Sequence, residues 1–219
     1  MKYSLVFAAL VIAQLRGQVP RLADGHPDLG GDGVWLPERV PDLATRAGEI
    51  PLLDSAKLIF QQNGAAKNDP AARCLPPGVP RIMLTPRPFE IVQTANRILF
   101  VYEGGAHIWR QVWTDGRDHP KDPNPNWLGH SIGHWDGDTL VADSVGFNDQ
   151  TWLDDAGHPH SEQLHVIESY TRTGPMTMKY DVVIDDPSSY ARSWKFSSSL
   201  SFRPGEKLAE DICLDKISR

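Results

Sequence analysis

The stretch Ile132-Gly-His-Trp135-Asp136-Gly137-Asp-Thr139-Leu-Val-Ala-Asp-Ser-Val145 decides the fold. Asp136-Gly137 is the strongest hairpin signal in the chain: such a pair tolerates the positive φ of a two-residue turn whose twist matches its flanking strands. Ile132–Trp135 and Thr139–Val145 therefore read as one hairpin. Downstream, Leu164–Arg172 pairs with Met178–Ile184 across Gly174-Pro175, and Trp194–Phe202 with Leu208–Leu214 across Pro204-Gly205. Upstream, Phe89–Gln93, Ile98–Glu103 and Ile108–Thr114 keep the same period of two, with Asn96 and Gly104-Gly105 as turns. About nine consecutive strands joined by short turns form an antiparallel meander. Closing it into a lipocalin-like barrel or a curved sheet removes exposed edges. The expected class is mainly β.

The first part of the chain reads differently. Pro20, Pro27, Pro37, Pro41 and Pro51 interrupt any helix between residues 18 and 51. Asp28–Trp35 reads as a turn leading into a short strand that ends on Trp35. Leu52–Gln62 is the one short helix, capped by Asp54 or Ser55 and ended by Asn63-Gly64. Cys74-Leu-Pro-Pro-Gly-Val-Pro-Arg81 must be extended or polyproline-like. The expected organisation is a signal peptide over 1–17, a Pro-rich arm with its helix over 18–88, and the barrel over 89–219. The leader reading rests on Lys2 ahead of the apolar run Leu5–Ala13, too short to span a bilayer. It implies an exported protein, periplasmic or secreted, and no membrane span.

Composition narrows the partners. The 219 residues carry a formal charge of -6 with no basic run, which argues against nucleic acid. No phosphate loop or dinucleotide fingerprint occurs, so no cofactor is expected. The 2 cysteines, Cys74 and Cys213, are an even count without a CxxC pair. In an exported chain this favours one disulfide, worth on the order of 4 kcal/mol by loop entropy.

Chemistry concentrates between Asp115 and Glu168. Two inserts, Gly116–Gly129 and Asn148–Gln163, flank the deciding hairpin and suit the mouth of a site. His130 and His134 have H-x3-H spacing, but on a strand they stand about 13 Å apart, so no metal site is expected. Gly129-His-Ser131-Ile-Gly133 has the letters of a nucleophile elbow without its strand-and-helix context. His158-Pro-His160-Ser161-Glu162 offers more, since a carboxylate beside an imidazole fixes its tautomer and raises its basicity. On the strands, His107, Trp109, Gln111 and Trp113 share a face, opposite Ile108, Arg110 and Val112. Leu164, Val166, Glu168, Tyr170 and Arg172 share another. Glu168 on an inward face needs a partner, either Arg110 or Arg172, unless it lines a cavity.

Cys74–Arg81, Asp115-Gly-Arg-Asp-His-Pro120, Trp127-Leu-Gly129, Trp135–Val141, Gly146-Phe-Asn148 and Pro159-His-Ser-Glu162 together resemble a family of exported β-rich bacterial proteins common in soil bacteria. The resemblance runs from about Pro27 to Asp215 and its motifs are jointly specific. It implies export, one β-rich domain and a paired Cys74 and Cys213, and it brings no established activity. His119, His160, Ser161 and Glu162 fall on the family pattern, whereas His130 and His134 depart from it.

Two functions are consistent with these residues. The first is a lyase- or isomerase-type enzyme that eliminates, isomerises, cyclises or hydrates an apolar or polyhydroxylated small molecule by proton transfer. His160 would be the acid or base, oriented by Glu162, with Asp143 or Glu168 as partner acid. Trp127, Trp152, Trp109, Tyr170, His119, His158 and Arg110 would line the ligand. The second is a lipocalin-like carrier of a hydrophobic or glycan ligand. A third possibility is an interaction module whose barrel is filled.

Overall fold

In the computed structural model, which describes residues 17–66 and 69–213, Gly137 takes the positive φ that the hairpin turn demands. It joins β5 (His130–Asp136) to β6 (Thr139–Val145) in full antiparallel register, from His130 opposite Val145 to Asp136 opposite Thr139. The ladder continues antiparallel through β7 (His165–Gly174), β8 (Thr177–Asp185) and β9 (Trp194–Pro204). On the other side lie β2 (Phe89–Gln93), β3 (Arg97–Tyr102) and β4 (Trp109–Trp113). The nine strands form a closed barrel, as the alternation leads one to expect. The leader reading falls on residues outside the described ones, apart from Gly17.

Two details differ from expectation. Leu208–Cys213 is not a strand; β9 pairs instead with β1 (Gly33–Pro37), whose sequence lies inside the stretch read as the arm. Closure thus uses a strand from the start of the chain, and Cys213 lies beyond the last strand. Second, β4 and β5 run parallel, paired only at Val112 with Ser131 and Trp113 with Ile132. Geometry requires this: strands alternating in direction around an odd-numbered ring must contain a like-directed pair. The connection between β4 and β5 is accordingly a long insert instead of a tight turn. Gly133 permits the close approach, since a Cβ there would lie 2.7 Å from Val112 Cγ1.

The α-helices are α1 (Ala44–Ala47), α2 (Asp54–Ala66) and α3 (Gly104–His107), α2 covering the expected helix, and short 3-10 turns lie at Pro70–Arg73 and Arg81–Met83. No helix among the described residues is long and apolar enough to cross a membrane. The arm is stitched to the barrel throughout. Leu29 N–H donates to Gln93 Oε1 at 2.6 Å, Trp35 Nε1 to Leu29 O at 2.6 Å, and His26 stacks on Trp135 with ring centroids 4.6 Å apart. Inside, Phe89, Phe100, Tyr102, Tyr170, Tyr180 and Phe196 pack ring on ring with centroids 5.1–6.4 Å apart. Fully burying each such side chain contributes about 1.5–3 kcal/mol. Cys74 and Cys213 are joined, with Cα atoms 5.7 Å apart.

Candidate active site

Alternation decides which strand residues enter the barrel, and on β4 it is Arg110 and Val112 that do, while Trp109 stands 61% exposed. Arg110 meets Glu168, which has no exposed surface, in a direct ion pair. Glu168 also accepts the hydroxyls of Tyr170 at 2.8 Å and Tyr180 at 2.6 Å. Arg110 donates from Nε to Ser131 Oγ at 3.1 Å and from Nη2 to Ser144 Oγ at 2.7 Å. Burial pulls the arginine's pKa down, but the Glu168 charge more than compensates and holds it well above the ordinary value. Burial, reinforced by Glu168, pushes both tyrosines up. Arg110 is thus the partner of Glu168; Arg172 instead donates to backbone carbonyls of the arm and of the β7–β8 turn. The carboxylate and Tyr170 are committed to a buried bond network that spans the barrel.

The loop that carries His158, His160 and Glu162 is a clasp. His160 is 6% exposed, and both its ring nitrogens are used: Nδ1 donates to Ser161 O at 3.0 Å and Nε2 accepts from Thr151 Oγ1 at 2.6 Å. Burial lowers its pKa, which keeps it neutral. Glu162 is exposed, so the expected pairing of His160 with Glu162 is not formed. The carboxylate that organises the loop is the buried Asp186, which accepts Ser161 N–H at 2.6 Å and the Ser161 hydroxyl at 2.7 Å. His158 donates Nδ1–H to the buried Asp154 at 2.6 Å and stacks on Phe60 of α2 with centroids 4.3 Å apart. Burial would raise the Asp154 pKa, but the His158 bond outweighs it and holds the carboxyl below its usual value. Asp42, Asp154 and His158 place possible metal-ligand atoms within 4.8 Å of one another. Yet the two Asp154 oxygens already take three backbone N–H groups and the His158 ring, leaving little capacity for a cation. Trp152, 9% exposed, packs beneath the Arg81 guanidinium, 5.8 Å from its ring centre.

What remains open is the seam between β4 and β5. Tyr102 N–H donates to Ile108 O and Thr114 N–H to Asn96 O, so even-numbered positions turn their backbone groups to β3 and odd-numbered ones toward β5. Because β5 reaches only Val112 and Trp113, the backbone of Trp109 has no strand partner on that side among the described residues. There a groove of about 500 Å³ opens. Trp109, Trp113 and Trp127 line it, with Arg110, His130 and Ser131. Asn148 N–H donates to Asn126 O at 2.9 Å, so the two expected inserts do meet beside it.

His130 is the end of a hydrogen-bonded chain. Asp143 Oδ1 lies 3.1 Å from His119 Nε2 and 2.8 Å from His165 Nε2, and His119 Nδ1 lies 2.9 Å from His130 Nδ1. The carboxylate accepts, so both Nε2 atoms carry protons. With its proton on Nε2, His119 accepts at Nδ1 from His130, whose lone pair is left on Nε2. No described residue bonds that Nε2. Burial, then the nearby His119 and Arg117, lower the His130 pKa, which keeps it an unprotonated base. The strand register builds this arrangement: Asp143 faces Ile132 and Ile167, placing His130 and His165 diagonally on either side of it. Of the expected residues, Asp143, His119, Trp127, Trp109 and Arg110 come together around the seam. His130 and His165 join them, with no role assigned to either from sequence.

Fold and site together define a nine-stranded, disulfide-tied barrel with an external groove of tryptophans served by a chain of imidazoles. Compared with protein-family models, curated proteins and solved structures, the chain matches none.

Proposed function

We propose that the protein is an enzyme that acts on a small ring-faced molecule by proton transfer, in the groove between β4 and β5. His130 is the base, and His119 with Asp143 orient it and stabilise the imidazolium it becomes. The observation that carries this reading is the chain from Asp143 through His119 to His130, ending with a free nitrogen at the wall of a tryptophan-lined groove. Flat indole faces suit an apolar ring or a sugar. Elimination, isomerisation, cyclisation and hydration all need only such a base with a returning acid, and no redox cofactor. A lipocalin-like carrier would hold its ligand inside the barrel, where aromatic rings and the Glu168 network are packed together; that favours the outer groove.

The same reading makes the protein an exported one that meets a small molecule and not nucleic acid. The Cys74–Cys213 bond supports an oxidising compartment, and the charge of -6 disfavours a phosphate backbone. The likeness to exported soil-bacterial proteins in the motifs from Cys74 to Glu162 points the same way. The test is turnover, in a panel of ring-bearing substrates, by the wild type and His130→Gln. Loss of a base lowers the rate by about 10²–10⁴. Asp143→Asn should also lower it, and the wild-type rate should rise with pH through a midpoint below the ordinary histidine value, where His130 loses its proton. Equal turnover by His130→Gln overturns the assignment.

A further inference from the structure

The groove between β4 and β5 is longer than one ring. Trp109 and Trp113 share the outer face of β4, and both line the groove. Four strand residues apart, their Cα atoms stand about 13 Å from each other. Arg117 already lies on Trp113, 3.5 Å from the ring centre, whereas Trp109 is exposed. An apolar ligand laid on an open indole would keep its own outer face wet and gain only part of its burial. A sugar ring has one apolar face of C–H groups and a polar rim, so it can stack there and leave the rim to water and to polar neighbours. Such neighbours are present. Trp109 N–H and C=O turn to the groove without a strand partner among the described residues. Gln111, between the two tryptophans, accepts from Arg97 Nη1 through Oε1 at 3.2 Å, which leaves its Nε2 hydrogens to donate. His130 offers the Nε2 lone pair. Donors and acceptors are thus mixed, and a hydroxyl, which is both, answers either. Charge narrows the ligand further. Arg110 is paired with Glu168 and Arg117 with Asp115. Arg97 has no carboxylate partner among the described residues, but it stands outside the groove lining.

We propose that the substrate of the groove is a neutral, short oligosaccharide, stacked on Trp109 with its hydroxyls on the Trp109 backbone and the Gln111 amide. This rests on the reading of the groove as the site, and it names the substrate class. His130 adjoins Ser131, which pairs with Val112, so a ring on Trp109 leaves a linked ring nearer the base.

The probes are the neutral trisaccharides cellotriose, laminaritriose, maltotriose and xylotriose, with trigalacturonate as the charged comparison and 2-methoxynaphthalene as the apolar one. Each is titrated calorimetrically into the full-length, oxidised protein. At least one neutral trisaccharide should bind saturably, more tightly than its own monosaccharide and than either comparison. Trp109→Ala should weaken it about tenfold or more, and Trp109→Phe, which keeps a ring, should recover most of the loss. Gln111→Leu should weaken it about fivefold to tenfold, the loss of one hydrogen bond. Trp109 is exposed and Gln111 half-buried, so these variants should fold. The bound sugar should also slow amide exchange at Trp109. No binding of any neutral trisaccharide overturns the proposal. So does binding unchanged in Trp109→Ala, or tighter Trp109-dependent binding of trigalacturonate or of the naphthalene. The base is judged separately. Sugar binding without turnover counts against His130 as the base and leaves the substrate class standing. His130-dependent turnover of an apolar ring, with no sugar bound, keeps the base and overturns the sugar.

Discussion

Glu168 shows how one inward carboxylate governs its neighbours. Three donors reach it, from Arg110, Tyr170 and Tyr180, on three different strands. Removing one member of such a pair leaves the other charge buried and alone, at a cost of about 3–5 kcal/mol. Glu168→Gln should therefore lower the unfolding free energy read from urea melts by about that amount, and Arg110→Met with Glu168→Leu should recover most of it, because both charges leave together. If the double variant is no more stable than the single one, the pair contributes through something other than mutual neutralisation. His160 sets a different expectation. Its unfolded pKa is near 6.5, and burial lowers the folded one. Between the two values the unfolded chain holds more protons, so this contribution to stability is complete above about pH 6.5 and is lost as pH falls through the folded pKa. Urea melts at pH 7 and pH 5 should show a steeper loss for the wild type than for His160→Gln. Equal slopes in both would assign the acid sensitivity elsewhere.

Among the elements, the β4–β5 seam is the one on which the proposed site depends. Its alternation makes a prediction that needs no substrate. The amides of Arg110 and Val112 point to β3, whereas those of Trp109 and Gln111 point to the thinly paired side. Amide exchange should be fast at Trp109 and Gln111 and slow at Arg110 and Val112; uniform protection along β4 would mean that the seam is closed in solution. The register of the deciding hairpin was legible, because Asp136-Gly137 fixes which residues of β5 and β6 face each other. Continued two residues beyond the expected start at Ile132, that register puts His130 on the same face as Asp143 and diagonal to it. The sequence could not show that His119 and His165 complete the set: His119 sits in a long insert whose path no periodicity constrains, and His165 opens β7, whose register against β6 no tight turn fixes because a long insert joins the two. His160 and Glu162 misled for a related reason: residues two apart in an irregular loop need not share a direction, and here one is buried while the other is in water. Nor does a two-residue period say which end of the chain supplies the closing strand. Leu208–Cys213 has the pattern of a strand, but β1 occupies the place beside β9.

For the molecule as a whole, closure has two parts that can be separated. The barrel is closed by the β1–β9 ladder, Gly33–Pro37 against Leu200–Pro204. The tail beyond it has no ladder. It is held by Lys207 to Asp32, by Ala209 N–H to Glu103 at 2.8 Å, by Arg87 to Asp211 at 3.5 Å and by the disulfide. The Arg87 and Lys207 pairs have at least one partner in water and contribute little each, so the covalent bond is the main restraint. It joins residues 139 apart in the chain. By loop entropy a link of that span stabilises by about 5 kcal/mol, and for a chain of this size each kcal/mol moves the melting temperature by roughly 2–4 °C. Reduction should thus lower the melting temperature by about 10 °C or more. It should not unfold the barrel at room temperature, because β1 and β9 remain paired. Limited proteolysis of the reduced protein should cut first within residues 206–212, and the barrel fragment should keep its far-ultraviolet circular dichroism. Loss of all structure on reduction would show that the disulfide, and not the β1–β9 ladder, closes the barrel.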